Sequence, residues 1–595
     1  MPAQPLLTVE GLTVAFGAGR AAVTVVEDVS FALRRGETLA LVGESGSGKT
    51  LTGKALLGIL PKGARIIAGR AALADKSGTG ETDLLAMDPK ALRKVRGGRV
   101  SMIFQEPMSS LSALHTIGDQ VMEAVKLHSP LRGAEAKARC IETFVDVGFP
   151  DPERAFRAYP FELSGGLRQR AMIAMAMVCR PELMIADEPT TALDVTTQAT
   201  VLDLIKSLQR ETGMSMIMVT HDLGVVANMA DAVVVLRKGR VVESGPARAV
   251  LTSPGHGYTR KLIAAAPEIP ENLDARHVAS EDFIVRARHL SKTYPGKAQG
   301  LGRVSAPVKA VQDVRIDLRR GETLAIVGES GSGKSTVAKL MLQAERADPG
   351  AQVLFRGADG EEVDVMQLTG AALTAFRRKV QIVFQDPFSS LSPRMCVRDI
   401  LTEPLRVHGV GTAHEQRERA ADLMERVGLS ADHLQRFPHA FSGGQRQRIS
   451  IARALALGPE LIVCDEPTSA LDVSVQAQVL ELFKEIRDDL GLSYLFISHD
   501  LAVVAGLADR VAVMRRGRVV EEGPVKALFT NPTHPYTKAL MAASPEPDMD
   551  RPLDLASVAR GAGEPQTWPD PFGYADDAAP DLVEIDAGHF VRRAA

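Results

Sequence analysis

The chain has 595 residues, 45% of them hydrophobic, and a formal net charge of −3. That length holds several domains of ordinary size, the hydrophobic share excludes wholesale disorder, and the near-neutral charge gives no electrostatic footprint for nucleic acid. Apolar runs stay below the roughly 18 residues of a membrane span, with Ala171 to Cys179 stopped by Arg180, and the N-terminus has no charged-then-apolar leader pattern, so the chain is expected in the cytosol.

In chain order, the first informative element is Thr38–Val42, a short apolar run expected to be a buried strand. It leads into Gly43-Glu44-Ser45-Gly46-Ser47-Gly48-Lys49-Thr50. This is the G-x-x-x-x-G-K-[ST] pattern, whose backbone N–H groups wrap the phosphates of a nucleotide. Helix formers follow Lys49, placing Gly43, Ser45, Gly46 and Gly48 at a helix N-terminus that favours anions. Lys49 is expected on the β- and γ-phosphates and Thr50 on Mg²⁺. The methionine-rich run from Ala171 to Met177 has helical spacing and reads as core packing. Leu183–Ala186 is a second buried strand, ending in Asp187 and Glu188. An aspartate there can hold Mg²⁺, and a glutamate one position later can take a proton from an attacking water. Met216–Val219 leads in the same way to His221. Ligands of open α/β sheets gather at such carboxyl ends of strands.

The whole set then recurs. Gly328, Ser330, Gly331, Gly333, Lys334 and Ser335 repeat the loop, Asp465 and Glu466 the carboxylates, and His499 the histidine. The lysines lie 285 residues apart (49 to 334), and the aspartates (187 to 465) and histidines (221 to 499) 278. An offset that drifts so little marks tandem duplication of a whole domain. The expected boundaries are 1–268 for the first unit, 269–282 for a linker in the stretch opened by Pro267 and Pro270, 283–545 for the second unit, and 546–595 for a loosely packed tail. Cys140, Cys179, Cys396 and Cys464 form no C-x-x-C pair, which points to reduced, buried thiols rather than zinc or disulfides.

Further motifs carry a family resemblance. Leu163-Ser164-Gly165-Gly166-Leu167-Arg168-Gln169-Arg170 and Phe441-Ser442-Gly443-Gly444-Gln445-Arg446-Gln447-Arg448 resemble the ABC ATPase signature. Gln105 in Phe104-Gln105-Glu106-Pro107 and Gln385 in Phe384-Gln385-Asp386-Pro387 resemble its Q-loops, Ala192-Leu193-Asp194 and Ala470-Leu471-Asp472 its D-loops, and His221 and His499 its switch histidines. The likeness spans roughly residues 6–267 and 283–545. It implies an α/β fold of two tandem ABC-type P-loop ATPase domains, each with a RecA-like core, an antiparallel β subdomain and a helical subdomain.

The implied cofactors are ATP and Mg²⁺, the latter held by Thr50, Gln105 and Asp187 in one unit and by Ser335, Gln385 and Asp465 in the other. The implied catalytic set is Glu188 and Glu466 as bases, His221 and His499 on the γ-phosphate, and Gln105 and Gln385. Phe16 and Tyr294 stand where the family stacks an aromatic ring on adenine. Ser-Gly-Gly before a helix offers N–H groups, a hydroxyl and a helix N-terminus to an anion. In the family this serves the nucleotide of the opposite domain, so the resemblance implies two composite sites. Ser442, Gly443, Gly444 and Gln445 would complete the loop of Lys49, and Ser164, Gly165 and Gly166 that of Lys334. Leu167 replaces the usual glutamine of the signature. Both glutamates are kept, so two hydrolytically competent sites are expected.

Three features resemble the oligopeptide/dipeptide/nickel importer subfamily. These are Ser253–Arg260 and Asn531–Lys538, with their repeated His-x-Tyr-Thr; the long motifs Glu188–Thr196 and Glu466–Ser474; and Ser-Ser-Leu at 109–111 and 389–391. The His-x-Tyr segments also read as helix-entry turns. Some members carry a cysteine cluster after the ATPase core; residues 545–595 hold no cysteine, which argues against an iron–sulfur site there. The resemblance implies an ATPase powering import of di- or oligopeptides. It would sit peripherally on the cytoplasmic face of the inner membrane, docked through helical segments near 106–160 and 386–438 on two transmembrane permease subunits fed by an extracytoplasmic binding protein, with no nucleic acid. The alternatives are a soluble tandem ABC ATPase acting on ribosomes or in DNA repair, a fused sugar-importer ATPase, and an importer of nickel or glutathione. The short linker, the lack of cysteine-rich modules and two intact halves argue against the first two.

Overall fold

The computed structural model describes residues 4–595 apart from 18, 20–21, 76–79, 107–109, 191–192, 271–272, 274–281, 297, 300–302, 305, 470, 576–577 and 595. Ala192 and Ala470 of the D-loop motifs, Pro107 and Ser109, and most of the linker lie outside the described residues. The chain divides into two compact units. One comprises Met1–Leu193, Thr197–Ala266 and Pro545–Leu555; the other comprises Asp194–Thr196, Pro267–Ser544 and Ala556–Ala595.

In the first unit a six-stranded sheet runs in the order Arg240–Pro246, Ala232–Arg237, Thr38–Val42, Ser215–Val219, Leu183–Asp187, Val100–Ile103. All neighbours are parallel except the first pair. Thr38–Val42, Leu183–Asp187 and Ser215–Val219 are buried at every position. They are covered on both faces, which is why they read as unbroken apolar runs rather than alternating ones. A separate four-stranded antiparallel sheet takes the order Val23–Leu33, Leu7–Phe16, Ala64–Ala74, Glu81–Asp83. Helices Ile117–His128, Gly133–Asp146 and Pro152–Arg157 fill the stretch between the Q-loop and the signature helix Gly165–Met177. Met172 and Met177 lie buried in one cluster with Val121, Phe144 and Met218, so the methionine run is core.

The second unit repeats the plan. Its main sheet follows the order Val380–Val383, Leu461–Asp465, Ser493–Ile497, Thr323–Val327, Arg510–Arg515, Arg518–Pro524, His589–Arg592, Leu582–Asp586. Its antiparallel sheet follows Val308–Arg319, Phe283–Tyr294, Gln352–Arg356, Glu362–Asp364, and its helical part contains Val397–Val407 and Ala413–Arg426. The four cysteines are free; Cys140, Cys396 and Cys464 are buried and Cys179 is half-buried.

The tail departs from the loose packing expected of it. Leu582–Asp586 and His589–Arg592 form a hairpin that extends the main sheet through Glu521–Val591 and Glu522–Phe590 pairing. Trp568 is 4% exposed and belongs to the core cluster of Leu528, Tyr536 and Leu540. Two strands of five and four residues, turned at Gly588 with φ 70°, are too short to show periodicity. They are ordered by an edge strand that would otherwise expose its N–H and C=O groups. Pro545–Leu555 clusters with the first unit, where the Leu553 N–H donates to Asn228 Oδ1 (3.1 Å) and Arg248 pairs with Asp550 (2.8 Å).

Candidate active site

Each phosphate loop is positioned by the strand before it and the helix after it. Lys49–Leu56 and Lys334–Met341 are helices whose N-caps, Gly48 and Gly333, have φ of 99° and 106°. Gly43 and Gly328 leave their strands at φ 147° and 148°, and a Cβ at either would lie 2.2 Å from a backbone oxygen, of Leu236 or Met514. These glycines are therefore demanded by the close backbone approach of the neighbouring strands Ala232–Arg237 and Arg510–Arg515. Gly46 and Gly331 adopt φ 76° and 79° with open space around them. Ser45 and Ser330 lie in the same loops.

Inside each loop the lysine is buried. The Lys49 Nζ donates to Gly43 O (2.6 Å) and Glu44 O (3.0 Å). The Lys334 Nζ makes the matching bonds to Gly328 O (2.7 Å) and Glu329 O (2.9 Å). Burial pushes the Lys334 ammonium below its ordinary pKa against the pull of Glu466 and Asp465. The next residue turns to the strand-end carboxylate: Thr50 Oγ1 donates to Asp187 Oδ1 (2.8 Å) and Ser335 Oγ to Asp465 Oδ1 (2.9 Å). Burial raises both aspartates from their ordinary pKa, and the hydroxyl bonds only partly offset it.

The glutamates that follow are held by a backbone bond, a glutamine and a histidine. Glu188 and Glu466 both have φ 47°, a left-handed conformation that a residue with a Cβ adopts at a cost. It is fixed by N–H bonds to Val219 O (2.9 Å) and Ile497 O (3.0 Å). Gln105 Nε2 donates to Glu188 Oε2 (2.9 Å), and His221 Nδ1 stands 3.0 Å from Glu188 Oε1. In the second unit Gln385 Nε2 lies 2.9 Å, and His499 Nδ1 3.2 Å, from Glu466 Oε2. Burial alone would raise the Glu466 carboxyl, but the His499 hydrogen bond, the charges of His499 and Lys334 and the Gln385 bond outweigh it and hold the group low. Burial would lower the two histidines, and their glutamate partners reverse this and raise them. Asp222 and Asp500 cap the helices that follow, accepting from Gly224 (2.8 Å) and Val225 (3.1 Å), and from Ala502 (3.0 Å) and Val503 (3.2 Å). They fix the turns that present the histidines.

The signature serines cap their helices. Ser164 Oγ accepts from Leu167 N and Ser442 Oγ from Gln445 N, both at 3.4 Å. Gln445 returns a bond by accepting the Ser442 N–H (3.1 Å), the reciprocal half of a capping box that Leu167 cannot make. A Cβ at Gly166 would meet Thr197 at 2.8 Å and one at Gly444 would meet Val475 at 2.1 Å, whereas Gly165 has open space and Gly443 only ordinary contact. The second glycine is thus required by packing; the first leaves room for a ligand. Phe16 and Tyr294 end the strands Leu7–Phe16 and Phe283–Tyr294 and are half-buried; Tyr294 Oη is bonded to the Glu345 carboxylate.

The structure adds residues that sequence reading missed. The Tyr258 and Tyr536 hydroxyls accept the N–H groups of Glu44 (3.2 Å) and Glu329 (3.0 Å), inside the two phosphate loops. Both tyrosines belong to the His-x-Tyr-Thr segments, whose histidines cap helices as a helix-entry turn should. The repeat of the tyrosine was the available signal; its target could not be read from spacing.

The ABC transporter family model matches residues 26–191 and 311–469, more than half the chain. The chain belongs to the ABC transporter ATP-binding family. Each half of this ABC protein also matches the oligopeptide/dipeptide transporter C-terminal region, at 242–289 and 520–567. The glutathione import ATP-binding protein GsiA of Escherichia coli K12 is 44% identical over 98% of this chain and 96% of its own. The peptidoglycan transport ATP-binding protein YejF of Agrobacterium fabrum is 47% identical over 91% of this chain and 96% of its own. The dimeric ADP- and phosphate-bound cassette MJ0796 aligns with 40% of this chain and 98% of its own at 29% identity and TM-score 0.36. This ABC protein is an ATPase coupled to import, of the oligopeptide/dipeptide class.

Proposed function

We propose that the chain hydrolyses MgATP at both phosphate loops to drive import of short peptides, glutathione among them, through two membrane-spanning permease subunits supplied by an extracytoplasmic binding protein. The observation that carries the two-site reading is the paired Gln–Glu–His cluster, present with matching contacts in both units. The oligopeptide/dipeptide region in each half and the relatives named for glutathione and peptidoglycan transport support the solute class. Among the described residues no helix is long and apolar enough to cross a membrane, and this reading assigns the span to the permease partners. The same reading places the chain peripherally on the cytoplasmic face, where ATP is supplied.

Loop N–H groups and Lys49 or Lys334 would hold the phosphates. Thr50 with Asp187, and Ser335 with Asp465, bring a hydroxyl and a buried carboxylate into contact, a hard-oxygen pair that fits Mg²⁺, which takes its other ligands from phosphate and water. Thr50 and Asp187 with Gln105, and Ser335 and Asp465 with Gln385, would hold Mg²⁺, which would supply charge neutralisation at the phosphates. Glu188 and Glu466 accept the proton of the attacking water, the Glu466 carboxyl being held below its ordinary pKa against burial by His499, Lys334 and Gln385, and His221 and His499 orient that water against the γ-phosphate. Phe16 and Tyr294 would stack on adenine, and the Ser164 and Ser442 helix N-termini would meet phosphate.

The reading is tested by co-reconstituting the chain with its permeases and binding protein in vesicles and measuring ATP-dependent uptake of labelled dipeptide, tetrapeptide and glutathione. Uptake by the chain without permeases would overturn the subunit role. Uptake of a nickel chelate but of none of the peptides would overturn the solute class.

Docking would use the helical parts. Tyr159 and Phe161 stack at 5.5 Å with Phe161 62% exposed, and Phe437 stacks on His439 at 5.8 Å. Exposed aromatics of this kind anchor interfaces, and their removal costs about 2 kcal/mol or more. Phe161→Ser with Phe437→Ser is expected to weaken permease association at least about tenfold while the isolated chain keeps its ATP affinity. Co-purification from membranes alongside nucleotide binding checks both halves of that statement.

A further inference from the structure

The phosphate loop of the second unit is gripped from outside the residues assigned to ATP. Glu329 is its second residue. Its N–H donates to Tyr536 Oη at 3.0 Å, its carbonyl accepts from Lys334 Nζ at 2.9 Å, and its carboxylate pairs with Arg515. Arg515 also lies over the Tyr536 ring, 4.8 Å from the centroid. Tyr536 is wholly buried, so the three groups form one enclosed contact beneath the loop.

The tail reaches the same arginine. Arg515 Nη2 donates to Ala562 O (2.7 Å) and Gly563 O (3.5 Å), just past the tail helix Leu555–Gly561. That helix end is packed against the helix Pro535–Ala543, which carries Tyr536: a Cβ on Gly561 would lie 2.1 Å from Pro535 O. Gly561 O accepts the Trp568 indole N–H (2.9 Å), and the Trp568 ring meets His534 edge-on at 4.6 Å. His534 in turn accepts the Tyr536 N–H (3.1 Å). Packed, hydrogen-bonded contacts therefore run from the tail to the loop without a break, all within the second unit.

We propose that Arg515 and Tyr536 are positioning residues for the second phosphate loop and that residues 556–595 set them, so that the C-terminal tail tunes ATP affinity at the second site separately from the first. Arg515 holds the Glu329 carboxylate and Tyr536 holds its N–H. Between them they fix the peptide whose carbonyl anchors Lys334. Loss of the tail carbonyls frees Arg515 to move, and the loop then pays conformational entropy each time it closes on phosphate. The inference rests on the reading that Gly328–Ser335 binds nucleotide.

The test uses the full chain and a fluorescent ATP analogue. With the first site disabled by Lys49→Ala, Tyr536→Phe keeps the buried ring and removes the hydroxyl that accepts the Glu329 N–H and meets Arg515. It is expected to weaken binding about 3- to 10-fold, with a melting temperature within about 2 °C of the parent. In a Lys334→Ala background the same substitution leaves first-site binding unchanged. Gly561→Ala, which displaces the tail helix, is expected to weaken the second site to a similar extent. Combined with Arg515→Lys it should add little further, since the two act through one contact. Unchanged second-site affinity in Tyr536→Phe, equal loss at both sites, or additive effects of Gly561→Ala and Arg515→Lys would each overturn the proposal. Full binding retained in Lys49→Ala with Lys334→Ala would instead refute the loop reading beneath it.

Discussion

A chain carrying Glu188→Gln and Glu466→Gln is expected to bind ATP and to stop turning it over. Each glutamate stands in contact with a glutamine and a histidine, within 3.2 Å of both in the second unit, and its side chain is about 16% exposed there. Glutamine has the same shape and can occupy the same left-handed backbone position, so the substitution removes a proton acceptor and a charge while leaving the packing. A positioned general base contributes about 10²- to 10⁴-fold. Steady-state phosphate release should therefore fall about 100-fold or more, with ATP still retained on a filter. Unchanged hydrolysis would sink the base assignment. Loss of ATP retention would show instead that these carboxylates serve chiefly to hold the histidine turns in place.

Lys334→Ala should empty one site. Lys334 is 5% exposed, and its ammonium donates at 2.7 and 2.9 Å to two carbonyls of its own loop. Alanine leaves those carbonyls without their donor and removes the positive charge beneath the phosphates. Hydrogen bonds to charged groups contribute about 1.5–3 kcal/mol, which converts to about a 10- to 100-fold loss of affinity. Lys49→Ala should do the same at the first loop. In equilibrium binding, each single variant should lower the stoichiometry near the parent affinity from two nucleotides to one. A stoichiometry that stays at two would refute the pairing of lysine with site.

The fold and the ATPase chemistry were legible because duplication repeats short motifs whose geometry is local. A strand of five buried residues, a glycine loop and a helix start need no long-range information, so Thr38–Val42 could be placed from its apolar run alone. The acid and histidine ends of Leu183–Asp187 and Ser215–Val219 were readable for the same reason: parallel strands deliver their carboxyl ends to one edge. The signature carried a further distinction only partly visible in sequence. Gly166 and Gly444 are required by contacts with Thr197 and Val475, which no spacing rule reports.

Determined by the sequence alone were the two cassettes, their phosphate loops, the glutamates and histidines, and the oligopeptide/dipeptide class of importer ATPase. All of these rest on patterns within a few residues of one another. Tertiary structure alone decided three matters. The tail is ordered, because its two short strands find an unpaired sheet edge. Glu188 and Glu466 take a left-handed backbone, because N–H bonds to Val219 and Ile497 in the neighbouring strand hold it. Tyr258 and Tyr536 reach the phosphate loops from 214 and 207 residues away. Each depends on which groups meet across the fold, and a hydrogen bond made over such a separation leaves no local periodicity for a sequence to display.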